Sequence, residues 1–241
     1  GYASGIGGLI AKFSFTPLII HEQNTIPGTT NKLLSKFAKK SFQAFDNTFD
    51  NKVNATTTGN PILFKPKSKN TPKLVQNLLV LGGSLGARRI NETVAKIKTP
   101  LNIWHQTGAK HIEEVKVMYA KDVHPSLKIE DFIEDMAEAY AWADIVICRS
   151  GAMTVSELIA TNTLAILVPF PYAVDNHQTM NAQYLSKNGA GILIEESIFN
   201  AELIDKEILS LNSEKLQEMT KNLELLSVPN PEMIIADYLF G

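Results

Sequence analysis

The sequence predicts an α/β protein whose main sheet is parallel and covered by helices on both faces. Three observations carry that expectation. From residue 77 onward, short apolar runs alternate with longer amphipathic ones. Six such strand-like runs alternate with helix-like ones, which implies a parallel sheet covered on both faces. Finally, a proline-bearing stretch separates this region from a smaller α/β pattern upstream.

Taken in order, residues 6–15 read as a helix, 17–21 as a strand and 29–39 as a helix, the remains of a first α/β unit too small to close its own core. Residues 59–73 hold three prolines and little apolar content, and read as a linker. The main unit then begins with a strand at 77–81 and a helix at 86–98, whose Ile90, Val94 and Ile97 share one face. Strand 101–105, helix 110–120, strand 127–132 and helix 135–142 follow. Next come strand 144–148, helix 153–161, strand 164–168 and helix 176–188. Gly189 and Gly191 stop that helix before a sixth strand at 192–194. Helices at 201–211 and 214–226 close the unit, and Pro229 and Pro231 precede a short helix at 232–240. The expected division is a partial first domain at 1–62, a main domain at 63–226 and a tail at 227–241 that packs back on the first.

Composition narrows the function classes. A chain of 241 residues, 44% hydrophobic and 20% charged, can bury a real core. A net charge of −2 gives no global field for nucleic acid. Cys148 is the single cysteine, so no internal disulfide forms and a reducing compartment is expected. The longest apolar stretch, 164–174, is broken by Pro169 and Pro171, and no signal-peptide pattern is present. The expectation is a cytoplasmic chain that touches a membrane rather than crossing it.

Ligands of open α/β sheets bind beyond the carboxyl ends of the strands. Three loops there are unusual. The first, "GGSLGA" at 82–87, includes Gly83 and Ser84 and leads into a helix whose first turn carries Arg88 and Arg89. Glycines admit a close ligand and the helix start offers free N–H groups to phosphate. A tight turn with two solvated arginines is the alternative. The second loop, "RSGAMTVSEL", ends a buried strand in Arg149-Ser150-Gly151. Thr154 and Glu157 have capping-box spacing, so Glu157 either satisfies a backbone N–H or offers its carboxylate to the hydroxyls of a ribose. The third, "PFPYAVDNHQ", has Asp175 or Asn176 as N-cap and His177 and Gln178 in the first turn, as surface residues or ligand contacts. The five histidines lack metal-ligand spacing, and neither an Asp-x-Asp triplet nor a Gly-Lys-Ser/Thr loop occurs. Trp104 and Trp142 read as core packing.

The stretches "HEQNTIPGTTNKLL", "GNP", "LVLGGSLGARRIN", "IWHQTG", "FIEDMAEAYAWADIVICRSGAMTVSEL" and "DNHQTMNA" closely resemble the MurG family, the bacterial N-acetylglucosaminyltransferases that complete the lipid-linked disaccharide precursor of peptidoglycan. The resemblance runs in order from Gly1 to about Ile194. It implies a GT-B-type α/β fold, with one complete Rossmann-like domain at the C-terminal side and the remnant of a second at the N-terminal side. It implies an inverting transfer of GlcNAc from UDP-GlcNAc to lipid I, with no cofactor and no metal, at the cytoplasmic face of the inner membrane beside other cell-wall synthesis proteins. By the same resemblance Asn24 contacts the donor sugar, while Ser84 and the glycines around it, Gly83 included, hold the diphosphate. Arg88 is a further candidate from its place in the first helical turn, where a bound diphosphate would offset the dipole penalty on a cation. Ile133 meets uracil through its backbone, and Glu157 grips the ribose. Ala152, Met153, Thr154, Val155 and Ser156 line sugar and phosphates, and Gln178 with His177 reads the GlcNAc hydroxyls.

Two departures stand out. Leu63 occupies a position where the family commonly has an arginine, which removes one diphosphate contact. The family's opening glycine-rich loop, with its histidine base, has no counterpart, and His21 is a weak substitute. The chain is therefore expected to bind donor without a complete catalytic apparatus. A catalytically inactive nucleotide-sugar-binding fragment, and a related GT-B transferase with another lipid acceptor, are the competing readings.

Overall fold

The apolar runs that follow residue 77 pair side by side in one sheet. A computed structural model describes residues 2–83, 86–120, 123–173 and 176–241. Its strands are β4 (Asn77–Leu81), β5 (Asn102–Gln106), β6 (Ser126–Glu130), β7 (Ile145–Cys148), β8 (Leu164–Leu167) and β9 (Ile192–Leu193). They lie in the order β6-β5-β4-β7-β8-β9, every pair parallel. The chain thus winds outward in one direction from β4, then returns and winds outward in the other from β7. That is the doubly wound order of dinucleotide-binding sheets, with its switch point between β4 and β7.

Helices fill the crossovers: α3 (Arg88–Val94), α4 (Ile112–Met118), α5 (Met136–Trp142), α6 (Ala152–Ala160) and α7 (His177–Lys187). Two more, α8 (Ala201–Ser210) and α9 (Ser213–Leu225), complete the cover. Leu78, Leu79 and Val80 of β4 and Ile145, Val146 and Ile147 of β7 are wholly buried. Each such side chain contributes about 1.5–3 kcal/mol over an exposed one. Trp104 and Trp142 meet edge to face, ring centroids 5.7 Å apart, at the margin of this core.

The first unit is smaller. Helices α1 (Tyr2–Phe13) and α2 (Thr29–Leu34) accompany a parallel sheet of β1 (Ile19–Glu22), β2 (Lys40–Gln43) and β3 (Thr56–Thr57). Ile20, Leu34 and Phe49 form its buried cluster. The last helix, α10 (Pro231–Phe240), returns to this unit, where Tyr238 meets Phe42 of β2 edge to face at 5.5 Å. The stretch between the sheets is irregular, as expected of a linker, and is strapped to α5. Phe64 stacks on Tyr140 at 5.9 Å, and the Lys67 ammonium lies 2.6 Å from Glu138.

Three expectations need correction. Helix α3 begins at Arg88 rather than 86, because Gly86 has a φ of +78° and cannot continue a right-handed helix. The α6 helix begins at Ala152 rather than 153, with Gly151 as N-cap, so Thr154 lies inside the first turn and the capping-box alternative for Glu157 falls away. Strands β2 and β3 are additions, too short and polar to stand out in sequence.

Candidate functional site

The carboxyl ends of β4 and β7 stop level, Leu81 beside Cys148, so the loops that follow open into one space. That space is a cavity of about 580 Å³ whose lining includes Gly82, Gly86, Arg88, Arg149, Phe170 and Gln178. All three loops singled out in sequence therefore converge. Asn24, Ile133 and Glu157 are not in its lining.

The glycine loop is tight for a steric reason. A Cβ on Gly86 would stand 2.5 Å from the Thr107 carbonyl oxygen, and one on Gly82 would stand 3.0 Å from Gln106 O. Gly83 has a φ of +73° with open space where a side chain would be. Ser84 lies outside the described residues. Arg88 is already engaged: its Nε donates to Glu92 at 2.7 Å, and its guanidinium lies 3.4 Å from Glu114. These carboxylates offset the dipole penalty of a cation at a helix start. Arg89 donates to the Phe199 carbonyl at 3.1 Å.

Arg149 explains why a buried strand ends in a cation. Its guanidinium donates to the carbonyls of Val168 at 3.1 Å and Pro169 at 3.2 Å, pairs with Glu196 and lies 5.3 Å from the Phe170 ring centroid. It fastens the third loop to the second. Buried Ser150 adds a hydroxyl bond to the Gln178 carbonyl at 2.8 Å, and the Gln178 side chain accepts from Phe170 N at 2.9 Å. Asn176 occupies the N-cap of α7 in a left-handed conformation without a side-chain cap, and Asp175 lies outside the described residues. His177 is half-buried at the first position of that helix.

The start of α6 is open. Gly151 supplies no side-chain cap, so the N–H groups of Ala152, Met153 and Thr154 lack intrahelical acceptors. Val155 and Ser156 are buried; Val155 packs in the core and Ser156 donates to Ala152 O at 2.9 Å. One turn on, the half-buried Glu157 accepts a hydrogen bond from the Tyr140 hydroxyl at 2.9 Å. Burial raises its carboxyl above the usual carboxylate range, and the tyrosine pulls it back. Ile133 is 2% exposed, which leaves little of it, backbone included, open to a ligand.

Residues of the first unit reach the same region. Glu22, buried at the end of β1, accepts from Asn24 N at 3.0 Å, Gly28 N at 3.1 Å and Asn31 Nδ2 at 2.8 Å, and so shapes the "HEQN" loop. Asn24 then meets Asn181 of α7, Oδ1 accepting from Nδ2 at 3.2 Å. Asn181 also accepts from Thr25 N at 3.0 Å and donates to Ser150 O at 3.2 Å. A second bridge runs from Asn60 to Ser156 at 2.8 Å. His21 holds Gly59 O at 3.1 Å, and burial lowers its pKa, so its imidazole works as a loop strap. Leu63 is 99% exposed, at the rim of a separate cavity of about 650 Å³ between the linker, α6 and the start of α10. Glu22, Tyr140 and Asn181 were not singled out in sequence. All three sit within motifs that were quoted, but Tyr140 reads there only as part of a helix face.

Comparison with known proteins agrees with this geometry. Residues 77–231 match the glycosyltransferase family 28 C-terminal domain, and residues 1–43 match the glycosyltransferase family 28 N-terminal domain. The UDP-N-acetylglucosamine--N-acetylmuramyl-(pentapeptide) pyrophosphoryl-undecaprenol N-acetylglucosamine transferase of Vesicomyosocius okutanii subsp. Calyptogena okutanii (strain HA) is 52% identical over 240 residues, 99% of this chain and 68% of that protein. Its counterpart in Methylococcus capsulatus is 44% identical over 94% of this chain and 65% of its own length. The chain thus spans about two thirds of these relatives. The crystal structure of Acinetobacter baumannii MurG superposes with a TM-score of 0.87 at 37% identity, covering 99% of this chain and 71% of that one. A UDP-glucose: anthocyanidin 3-O-glucosyltransferase in complex with UDP, 13% identical with a TM-score of 0.59 over 95% of this chain and 68% of that one, shares the fold. The doubly wound sheet, the converging loops and these identities have one reading: the chain belongs to glycosyltransferase family 28, in its MurG branch.

Proposed function

We propose that the crevice at the sheet's switch point binds UDP-GlcNAc. The protein transfers the sugar, with inversion, to lipid I, an undecaprenyl-pyrophosphoryl N-acetylmuramyl pentapeptide, to make lipid II of peptidoglycan. The observation that carries this reading is the convergence of the three strand-end loops on one crevice. The second of them opens α6, whose half-buried Glu157 carboxylate lies one turn inside an uncapped N-terminus. A carboxylate there accepts both ribose hydroxyls, while the free N–H groups of Ala152, Met153 and Thr154 face phosphate and sugar.

Departure of UDP builds negative charge on the diphosphate. The starts of α3 and α6, each without a side-chain cap, supply fixed positive dipole ends to that charge. The glycine loop, Gly83 and Ser84 included, lets the backbone approach the phosphates. Gln178 and His177 on α7, with Asn24 from the first unit, recognise the GlcNAc hydroxyls, whereas the buried Ile133 is not assigned the uracil contact. Because Arg88 is paired with two carboxylates, its phosphate contact requires that pairing to be exchanged. The acceptor's C4 hydroxyl must lose a proton as it attacks. His21 is not assigned that step, since its Nε2 is committed to Gly59.

The lipid acceptor puts the reaction at a membrane surface, and no helix among the described residues is long and apolar enough to cross one. Peripheral attachment to the cytoplasmic face of the inner membrane, near other cell-wall synthesis proteins, follows from the same proposal. The test is Glu157→Ala, titrated calorimetrically with UDP-GlcNAc. Affinity should fall by about 1.5–3 kcal/mol, the scale of charge-assisted hydrogen bonds. Unaltered affinity overturns the reading.

A further inference from the structure

We infer that Tyr140 is a positioning residue of the donor site: its hydroxyl fixes the Glu157 carboxylate in the orientation that receives the ribose. The inference rests on the ribose reading of Glu157. Tyr140 lies on α5 and Glu157 on α6, and the phenol donates to Oε2 at 2.9 Å. Tyr140 is wholly buried. A buried phenol needs a partner, and a carboxylate is the strongest neutral-to-charged partner available to it.

The tyrosine is itself held from two sides. Its ring stacks on Phe64 of the linker at 5.9 Å and 21°. Its carbonyl accepts from Lys69 Nζ at 3.3 Å and from Thr163 Oγ1 at 3.4 Å. The hydroxyl therefore sits where the packed helix puts it. Glutamate has several rotatable bonds, and an unanchored one loses that freedom when ligand binds. With Oε2 held, Oε1 is presented and the ordering precedes binding. Phenylalanine would fill the same core volume, so only the hydroxyl distinguishes positioning from packing.

Charge state supplies a second readout. The titratable groups facing Glu157 are Tyr140 from α5 and Cys148 from β7. Burial pushes both well above their ordinary values, so both stay neutral at working pH. Burial also raises Glu157, and the tyrosine bond opposes that rise. Without the hydroxyl the carboxyl climbs further, and a proton competes with the ribose at higher pH.

The experiment titrates the full chain, Tyr140→Phe and Glu157→Gln with UDP-GlcNAc and with its 2′-deoxyuridine counterpart, at neutral pH and at steps below it. UDP-GlcNAc carries no phosphate monoester that would titrate in this range. The ratio of the two dissociation constants is read on one sample, so any unfolded fraction cancels. The parent chain should prefer the ribonucleotide about tenfold. Tyr140→Phe should cut that preference by about three- to tenfold, and what remains should fade at a higher pH than in the parent. Full preference with the parent's pH profile in Tyr140→Phe would reduce Tyr140 to core packing. A parent chain blind to the 2′-hydroxyl, with Glu157→Gln binding equally well, would instead remove the ribose reading and this inference with it.

Discussion

Helices α3, α6 and α7, which start around the switch point, differ from α5, α8 and α9 on the same sheet. Helix α4, preceded by His111 without a side-chain cap, falls with the first set. Ala87, Gly151 and Asn176 precede α3, α6 and α7, and none gives a side-chain cap. Asp135, Asn200 and Asn212 precede α5, α8 and α9, and each accepts from the backbone N–H of the third residue of its helix. A cap of this kind contributes about 1 kcal/mol. Its absence at three neighbouring helices, where the strand-end loops converge, leaves donors open to an anionic ligand. At α6 the sequence left the pattern open, because Thr154 and Glu157 imitate a capping box three residues past the true N-cap, Gly151.

The largest effect should come from closing the open end of α6. Gly151 has φ −61° and ψ 151°, a conformation any residue adopts, and the nearest atom to a Cβ there is Thr154 Oγ1 at 3.8 Å. Gly151→Asp should therefore fit, cap the helix and raise stability by a few tenths of a kcal/mol up to about 1. The same carboxylate would occupy the free N–H groups and repel a diphosphate. UDP-GlcNAc affinity should fall by about 2 kcal/mol or more. Gly151→Asn, which caps without charge, should lose less. Calorimetry and melting on both variants decide the matter: stability and affinity moving together would break the contrast between the two sets of helices.

Helix α3 lacks a cap yet is firmly held, through a buried network in place of its first turn. Asn91 donates to Thr107 O at 3.0 Å and meets His105 Nε2 at 3.0 Å, while His105 Nδ1 lies 2.8 Å from the Tyr119 hydroxyl. A neutral imidazole with its proton on Nε2 satisfies both neighbours. Burial pushes this histidine down to about 3. The unfolded chain takes up the proton near the ordinary value and the folded chain refuses it, so the unfolded state binds more protons between the two. Stability is complete above about pH 6.5 and is lost as pH falls toward 3. At about pH 5 the loss from this group should be about 2 kcal/mol. Urea titrations at pH 7 and 5 should show a steeper fall for the parent than for His105→Gln. Equal slopes would mean that the network does not anchor α3.

What was legible in the sequence follows from which interactions are local. The central strands β4, β7 and β8 stood out because a strand buried on both faces is an uninterrupted apolar run, and Asn77–Leu81 matched to the residue. The edge strands β6 and β9 are more exposed and were legible from their place between helices. Strands β2 and β3 did not stand out, because "KSFQ" and "TT" become strands only by pairing with β1 and with each other. The three loops were legible from glycines and from position at strand ends. Tyr140 was not, since a tyrosine on a helix face shows no sign of the carboxylate it meets 17 residues later. Asn181 was missed for the same reason, its partner Thr25 being 156 residues away.

The smallest expected effects test the capped helices themselves. Asn212 accepts from Lys215 N at 2.9 Å at the start of α9 and is exposed, so Asn212→Ala should cost about 1 kcal/mol in a melting curve. Donor affinity should not change. Asn200 is a sharper case, because it follows Phe199, whose carbonyl holds Arg89 of α3 at 3.1 Å. Its side chain accepts from Leu203 N at 3.0 Å, and Asn200→Ala should cost a similar amount of stability. Loosening of that turn reaches the crevice only through one neutral acceptor on Arg89, so affinity for UDP-GlcNAc should fall by about twofold at most. A loss at Asn200 as large as that at Gly151 would mean that α8 is mechanically part of the donor site. A flat response at both asparagines would show that capped helices carry the sheet and the uncapped ones carry the ligand.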